Sequence, residues 1–178
     1  MAMPKELDPR IIKVSFEVSG KIKTYSSPFY IQVTGTKFAN SLQNEANVII
    51  ANLDRATQDY ILTETTPYNR NNTVKSITVE AGRQSYGTAI IYTGNIIYSS
   101  LSQPPDVGIT LKCLTGNFLK TQVIGVNQSG QATTQQIAAT VSNLTGLVLR
   151  FEATNKNISN YNYSGSGINQ ISELNSIG

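Results

Sequence analysis

Histidine and tryptophan are absent from the 178 residues, and cysteine occurs once. Without histidine there is no common general base, no Ser/Cys–His nucleophile system and no ordinary zinc site. A single cysteine, Cys113, leaves no intrachain disulfide and no thiolate metal cage. It lies in the apolar run 109–114, where a buried small hydrophobe is the expected reading rather than a reactive thiol. Charge is scarce as well: Asp, Glu, Lys and Arg make up 14% of the chain, with a net charge of +3. The basic residues are scattered, so no stripe marks a nucleic-acid footprint. No run approaches the roughly 18 apolar residues of a membrane span. The start, MAMPKELDPR, lacks the apolar core of a secretory signal, so the expected setting is a cytoplasm or an object assembled in one.

What is abundant is Asn, Gln, Ser and Thr. A neutral polar surface hydrogen-bonds with little long-range repulsion between copies, which suits repeated packing of identical subunits. The length fits one medium domain, or one domain with a small annex, and needs no staples.

Residues 1–10, with Pro4 and Pro9, read as an arm. Ile12, Val14, Phe16 and Val18 alternate with polar residues, the period of a half-buried strand. Gly20-Lys21 reads as a tight turn before a returning strand from Ile22 to Tyr25. Phe29, Ile31 and Val33 alternate again, 35–44 reads as a loop, and 46–51 as a short strand. Asn52 or Asp54 can cap a helix over 54–64 with Ala56, Tyr60 and Ile61 on its buried stripe. Pro67 and the polar run 69–72 end it.

Val74, Ile77, Val79 and Ala81 make the next strand, and 82–87 a hairpin connection. Residues 88–98 form a long strand interrupted at Gly94, where a bulge or a close backbone approach is expected. Ile97 is expected to be essential to the sheet. Pro104-Pro105-Asp106 marks a turn before a strand over 107–114. Successive antiparallel strands with turns at this spacing argue for a sandwich or barrel.

Beyond Gly116 the texture changes. A strand is expected within 119–126. A helix is expected over 132–145, with Ala132, Ile137, Ala138, Val141 and Leu144 buried and Gly146 as its left-handed terminator. A strand at 147–151, a polar stretch with Tyr161 and Tyr163, and a last helix on Ile168, Ile171, Leu174 and Ile177 complete the reading.

Candidate chemistry is thin. Asp54, Asp59 and Glu64 are spaced as helix-surface neighbours rather than as an acid–base pair. The glycines at 82 and 87, and at 165 and 167, lack the Lys-Ser/Thr of a phosphate loop. The nine tyrosines could stack sugars or bases, and Tyr92 and Tyr98 are spaced to share a face. Strand packing is the plainer account. No catalytic, cofactor-binding or metal-ligating residue is assigned, and no cofactor.

Two passages together resemble a known family. The first is Val79-Glu-Ala-Gly82, Ile90-Ile-Tyr-Thr-Gly94-Asn-Ile-Ile97, Pro105-Asp106-Val-Gly-Ile-Thr-Leu111 and Thr115-Gly116. It resembles the tube-like β-domain of phage tail baseplate hub proteins. The second runs from Gln136-Ile-Ala-Ala through Leu144-Thr-Gly146-Leu, Asn157-Ile158 and Tyr163-Ser-Gly165 to Ile171 and Leu174. It is similar to the segment that follows that domain. The resemblance covers about 74–178, and 11–64 are compatible with it.

It implies a mainly β fold with α (α+β): an antiparallel sandwich or barrel of tail-tube type over 11–118 with one flanking helix. A small α/β segment over 119–178 follows, where the family's pattern starts a second hub domain. It implies a structural virion protein rather than an enzyme, placed in a tail assembled in the host cytoplasm. The expected partners are sister copies in a ring, other tail proteins (tube, spike, baseplate) and DNA as a non-specific passenger, with no membrane. Hub proteins usually continue into a second tube-like domain. The chain is therefore either a fragment or a single-domain tube or tube-initiator relative, with a trimer expected from two domains and a hexamer from one. The alternative reading is a carbohydrate- or ligand-binding β-module, which a concave tyrosine cluster would favour.

Overall fold

The computed structural model describes residues 7–38, 43–66, 68–69, 75–103, 107–120 and 122–177. Expectations for Pro67, 70–74 and Pro104-Pro105-Asp106 fall outside them, as do those for 1–6 and 39–42. The chain divides into two compact units, Met1–Lys37 with Gln43–Thr115, and Phe38–Leu42 with Gly116–Gly178.

The first unit is a seven-stranded antiparallel sheet. Its strands are β1 (Arg10–Val18), β2 (Lys21–Tyr25), β3 (Ile31–Thr36), β4 (Glu45–Ala51), β5 (Lys75–Arg83), β6 (Gly87–Leu101) and β7 (Gly108–Leu114). Their order is β2-β1-β5-β6-β7-β4-β3. The alternation read from β1 holds: Val14, Phe16 and Val18 are buried and the residues between them are not. The turn falls one residue earlier than expected. Val18 pairs with Lys21, and Ser19 and Gly20 both take left-handed φ values of 52° and 78°. That is the two-residue loop whose twist matches the flanking strands.

One face of the sheet carries the core, chiefly Val48, Ile50, Ile77, Val79, Ile109 and Leu111. The sheet must curl. Its two edges, β2 and β3, are consecutive in the chain with only residues 26–30 between them. Six steps reach at most about 21 Å, whereas seven flat strands span about 29 Å from edge to edge. Tyr25 stacks on Phe16 at 5.1 Å and meets Phe29 edge-on at 5.5 Å, filling the corner. Among the described residues no ladder joins β2 to β3, so the sheet is curved but open.

The bends sit in β6, but not at Gly94. Val79 pairs with Tyr92 and Glu80 with Ile90, leaving Ile91 extra. Ile96 pairs with Cys113 and Tyr98 with Lys112, leaving Ile97 extra. Such bulges turn a strand and re-aim its side chains. Ile97 is accordingly half-buried while Ile96 is buried. Gly94 serves a close approach: a Cβ there would strike the Tyr92 side chain lying over it.

Helix α1 (Arg55–Glu64) covers part of the core face. Of the two expected caps the structure uses Asp54, whose carboxylate accepts the Thr57 N–H at 2.8 Å. Its buried face is Thr57, Gln58 and Ile61; Ala56 is exposed, contrary to the expected stripe. Polar anchors hold it. Lys23 donates to the Thr57 hydroxyl at 3.2 Å, Lys75 to the Tyr60 hydroxyl at 3.0 Å, and the Thr65 and Ser99 hydroxyls lie 2.6 Å apart.

The second unit is a two-stranded ribbon, β8 (Val123–Thr133) with β9 (Asn157–Ser166), under helices α2 (Thr134–Thr145) and α3 (Gly167–Ile177). A 3-10 turn at Asn117–Lys120 precedes it. Four expectations are corrected here. The strand placed at 119–126 begins at Val123 and runs to Thr133. Helix α2 starts at Thr134, because Thr133 and Gln136 form a reciprocal capping box. Residues 147–151 form no strand, and the polar stretch around Tyr161 does. Leu144 is exposed and Thr145 buried, while Gly146 ends α2 with φ 69° as expected. In α3 the deeply buried residues are Gly167 and Gln170, with the expected apolar positions half-buried beside them.

Candidate assembly interface

The sheet's two open edges differ. In an antiparallel ladder, alternate residues aim N–H and C=O at the partner strand, and the others aim them away. The Ala51 N–H donates to the Tyr30 carbonyl at 3.0 Å. That sets the phase: Gln32, Thr34 and Thr36 bond to β4, and the backbone groups of Ile31, Val33 and Gly35 point outward. On β2, the turn closed by Val18 and Lys21 sets the opposite phase, so only Ile22 and Thr24 face out. The β2 edge is short and carries Lys21 and Lys23, the usual guards against edge pairing. The β3 edge, Ile-Gln-Val-Thr-Gly-Thr, carries no charge.

Beside β3 lies a cavity of about 430 Å³ lined by Ile12, Val33, Ala46, Ile91 and Tyr92 among others. Ile90 and Ile91 are exposed beside the bulge. The sheet face turned away from the core is mostly polar in its middle strands, with Ser76, Thr78, Thr93 and Thr110 on it together with two charged residues, Glu80 and Lys112.

The candidate chemical groups are dispersed. Cys113 is fully buried, and burial pushes its thiol up to about 12. Asp54 caps α1, and its hydrogen bonds from Thr57 hold its carboxyl below the ordinary value. Asp59 faces Arg55 at 3.8 Å on the helix surface, and Glu64 faces Lys75 at 3.3 Å. Hydrogen bonding to Tyr60 is the main cause holding the Lys75 ammonium above its usual range. Among the described residues no three His, Cys, Asp or Glu side chains gather as metal ligands. No helix among them is long and apolar enough to cross a membrane. Tyr92 and Tyr98 do not share a face: the bulge at Ile97 turns Tyr98 outward, opposite Lys112, while Tyr92 packs on the core. The sequence hides this, because an even spacing predicts a shared face only in an unbulged strand.

A model of the family "Baseplate hub gp41" matches residues 11–178. The chain belongs to that family, one of structural baseplate hub proteins. No curated protein matches it. Among solved structures it is similar to the 43 kDa tail protein of prophage MuSo2 from Shewanella oneidensis. That likeness has 13% identity and a TM-score of 0.51, over 91% of this chain and 48% of that one. Weaker likenesses are to the tail protein from Neisseria meningitidis MC58 (16% identity, TM-score 0.42, 74% and 33%) and to a chain of the native gene transfer agent virion (10%, 0.39, 60% and 39%). The chain thus spans a third to a half of the length of these structures. The first of them supports the α+β fold.

Proposed function

We propose that this protein is a ring subunit of the baseplate hub, joined to sister copies through the open β3 edge of its sheet. The observation that carries the reading is the β3 edge, which turns the backbone groups of Ile31, Val33 and Gly35 outward with no charge to deter a neighbour. A contact between unlike surfaces, the β3 edge of one copy set against a different surface of the next, generates a ring when the rotation closes. The outer face of the middle strands, mostly uncharged and with Lys112 as its cation, then suits a channel wall past which DNA slides without adhering, since it offers few cations to phosphate. Adjoining tail proteins stack above and below the ring, and the whole is built in the host cytoplasm.

Val33→Pro tests this. The Val33 N–H bonds nothing in β4, so an edge proline removes an outward donor at a modest cost to folding, about 1–2 kcal/mol for the lost side-chain packing. Native mass spectrometry of the wild type should show a closed trimer or hexamer, and the variant should stay folded and lose it. A variant that still closes the ring defeats the reading.

A further inference from the structure

In the second unit, residues 147–155 run back along the whole of α2 as a strap pinned at both ends. At one end the Leu147 N–H donates to the Thr145 hydroxyl at 3.4 Å, and the Leu147 carbonyl accepts from the Ser142 hydroxyl. At the other, the Thr134 hydroxyl donates to the Thr154 carbonyl at 3.3 Å, and the Gln135 N–H to Asn155 Oδ1 at 3.1 Å. A twelve-residue helix is about 18 Å long and eight strand steps would run about 26 Å, so the strap does not run straight from pin to pin; it bends at Ala153. Between the pins, no hydrogen bond among the described residues reaches the backbone of 148–153. Side chains alternate as in a strand. Phe151 is half-buried and Leu147 and Leu149 partly covered, over an apolar groove of about 420 Å³. Val148 is 98% exposed, and the Arg150 and Glu152 side chains also face out.

Up to that bend the strap has a strand's alternation and backbone groups bonded to nothing among the described residues, which is what a second strand can pair with. Charge selects the occupant. The strap's only charges are Arg150 and Glu152, two residues apart, paired with each other at 2.6 Å. In an antiparallel two-fold pairing centred on Phe151, each Arg150 lies opposite Glu152 of the other copy. Centring on residue 150 sets arginine against arginine, and centring on 152 sets glutamate against glutamate. We propose that the strap is a self-association site of the free protein, where a second copy adds its own residues 149–153 in the register centred on Phe151. The contact is independent of the sheet edge that carries the ring reading.

Sedimentation equilibrium of the full chain should show a two-fold pair whose formation Val33→Pro leaves unchanged. Arg150→Glu sets like charges opposite one another twice and should raise the dissociation constant about tenfold. Adding Glu152→Arg should restore it, which damage to folding could not mimic. Phe151→Cys should oxidise to a disulfide-linked dimer, because symmetric partners at the centre lie within bonding reach, and Val148→Cys should not. A chain without this pair at every concentration, an unaffected Arg150→Glu, a double variant that fails to recover, or cross-linking at 148 in place of 151 would each overturn the proposal. The first of these is also the result if the strap is reserved for a strand of another tail protein.

Discussion

The two units solve the same problem with unequal means. The sheet unit buries an aliphatic cluster, Val14, Val48, Ile50, Val79, Ile109 and Leu111, each with no measurable exposure. The ribbon unit has a smaller cluster around Val126, Ile137 and Val141, and beside it a glutamine, Gln170, just as deeply buried. Apolar area sets most of the stabilisation, so the sheet unit is the self-sufficient one. The ribbon unit relies more on hydrogen bonds that must all be made, and it leaves a whole strap unpaired. The lesson is that this chain keeps its uncommitted backbone at the rim of a strong unit and along the flank of a weaker one.

The largest expected effect sharpens that contrast. Leu111→Ala should cost about 3–5 kcal/mol, because a fully buried leucine loses both transfer energy and packing. Ile137→Ala in the ribbon unit should cost about 2–3 kcal/mol, since a smaller cluster collapses more readily around the gap. Hydrogen exchange resolved by peptide checks both. The first should raise exchange across β1 and β4–β7, and the second across β8, β9, α2 and α3. Equal losses in the two units would erase the distinction.

A smaller effect tests the role of the buried amide. Gln170 donates to the Tyr163 carbonyl at 3.0 Å and the Ile124 carbonyl at 3.3 Å, while its own Oε1 has no partner among the described residues. Gln170→Met relieves the unpartnered oxygen but strips two carbonyls of a donor. The net loss should be about 1–2 kcal/mol by chemical denaturation. A more stable variant would show the ribbon unit to be held by area alone.

The smallest effect concerns the cap of α1. Asp54→Ala should cost about 1 kcal/mol and Asp54→Asn much less. Because the folded carboxyl titrates below its ordinary value, its contribution is present above the unfolded pKa of about 3.9 and is lost as pH falls through the folded one. Thermal melts of wild type and Asp54→Ala should therefore converge toward pH 3. A constant gap down to that pH would place the stabilisation elsewhere.

Much of the sheet was legible because period two is a strong signal wherever one face is buried, as in Val14-Ser-Phe16-Glu-Val18. The hub-like resemblance carried by β5–β7 and the ribbon unit also survived. What the sequence concealed was local. Two one-residue bulges in β6 reversed the facing of Tyr98 and moved the buried position from Ile97 to Ile96. The stripe of α1 was misread because Thr57 and Gln58 are buried through hydrogen bonds, which no hydropathy pattern reveals. Leu-Val-Leu-Arg-Phe reads as a strand, and it has the alternation of one, but pairing is a property of neighbours. Conversely, β9 is so polar that only its partner β8 makes it a strand. The two open edges could not be located without strand order, and strand order is not written in any local run of residues.

The five residues between Tyr25 and Ile31 tie one rim of the sheet to the other. A hoop laced this tightly cannot be flattened by whatever touches it. The separation of its rims is a matter of covalent reach, indifferent to salt, temperature or the quality of side-chain fit. Any body that grips both rims at once therefore meets a gap that cannot open wider than the lace allows.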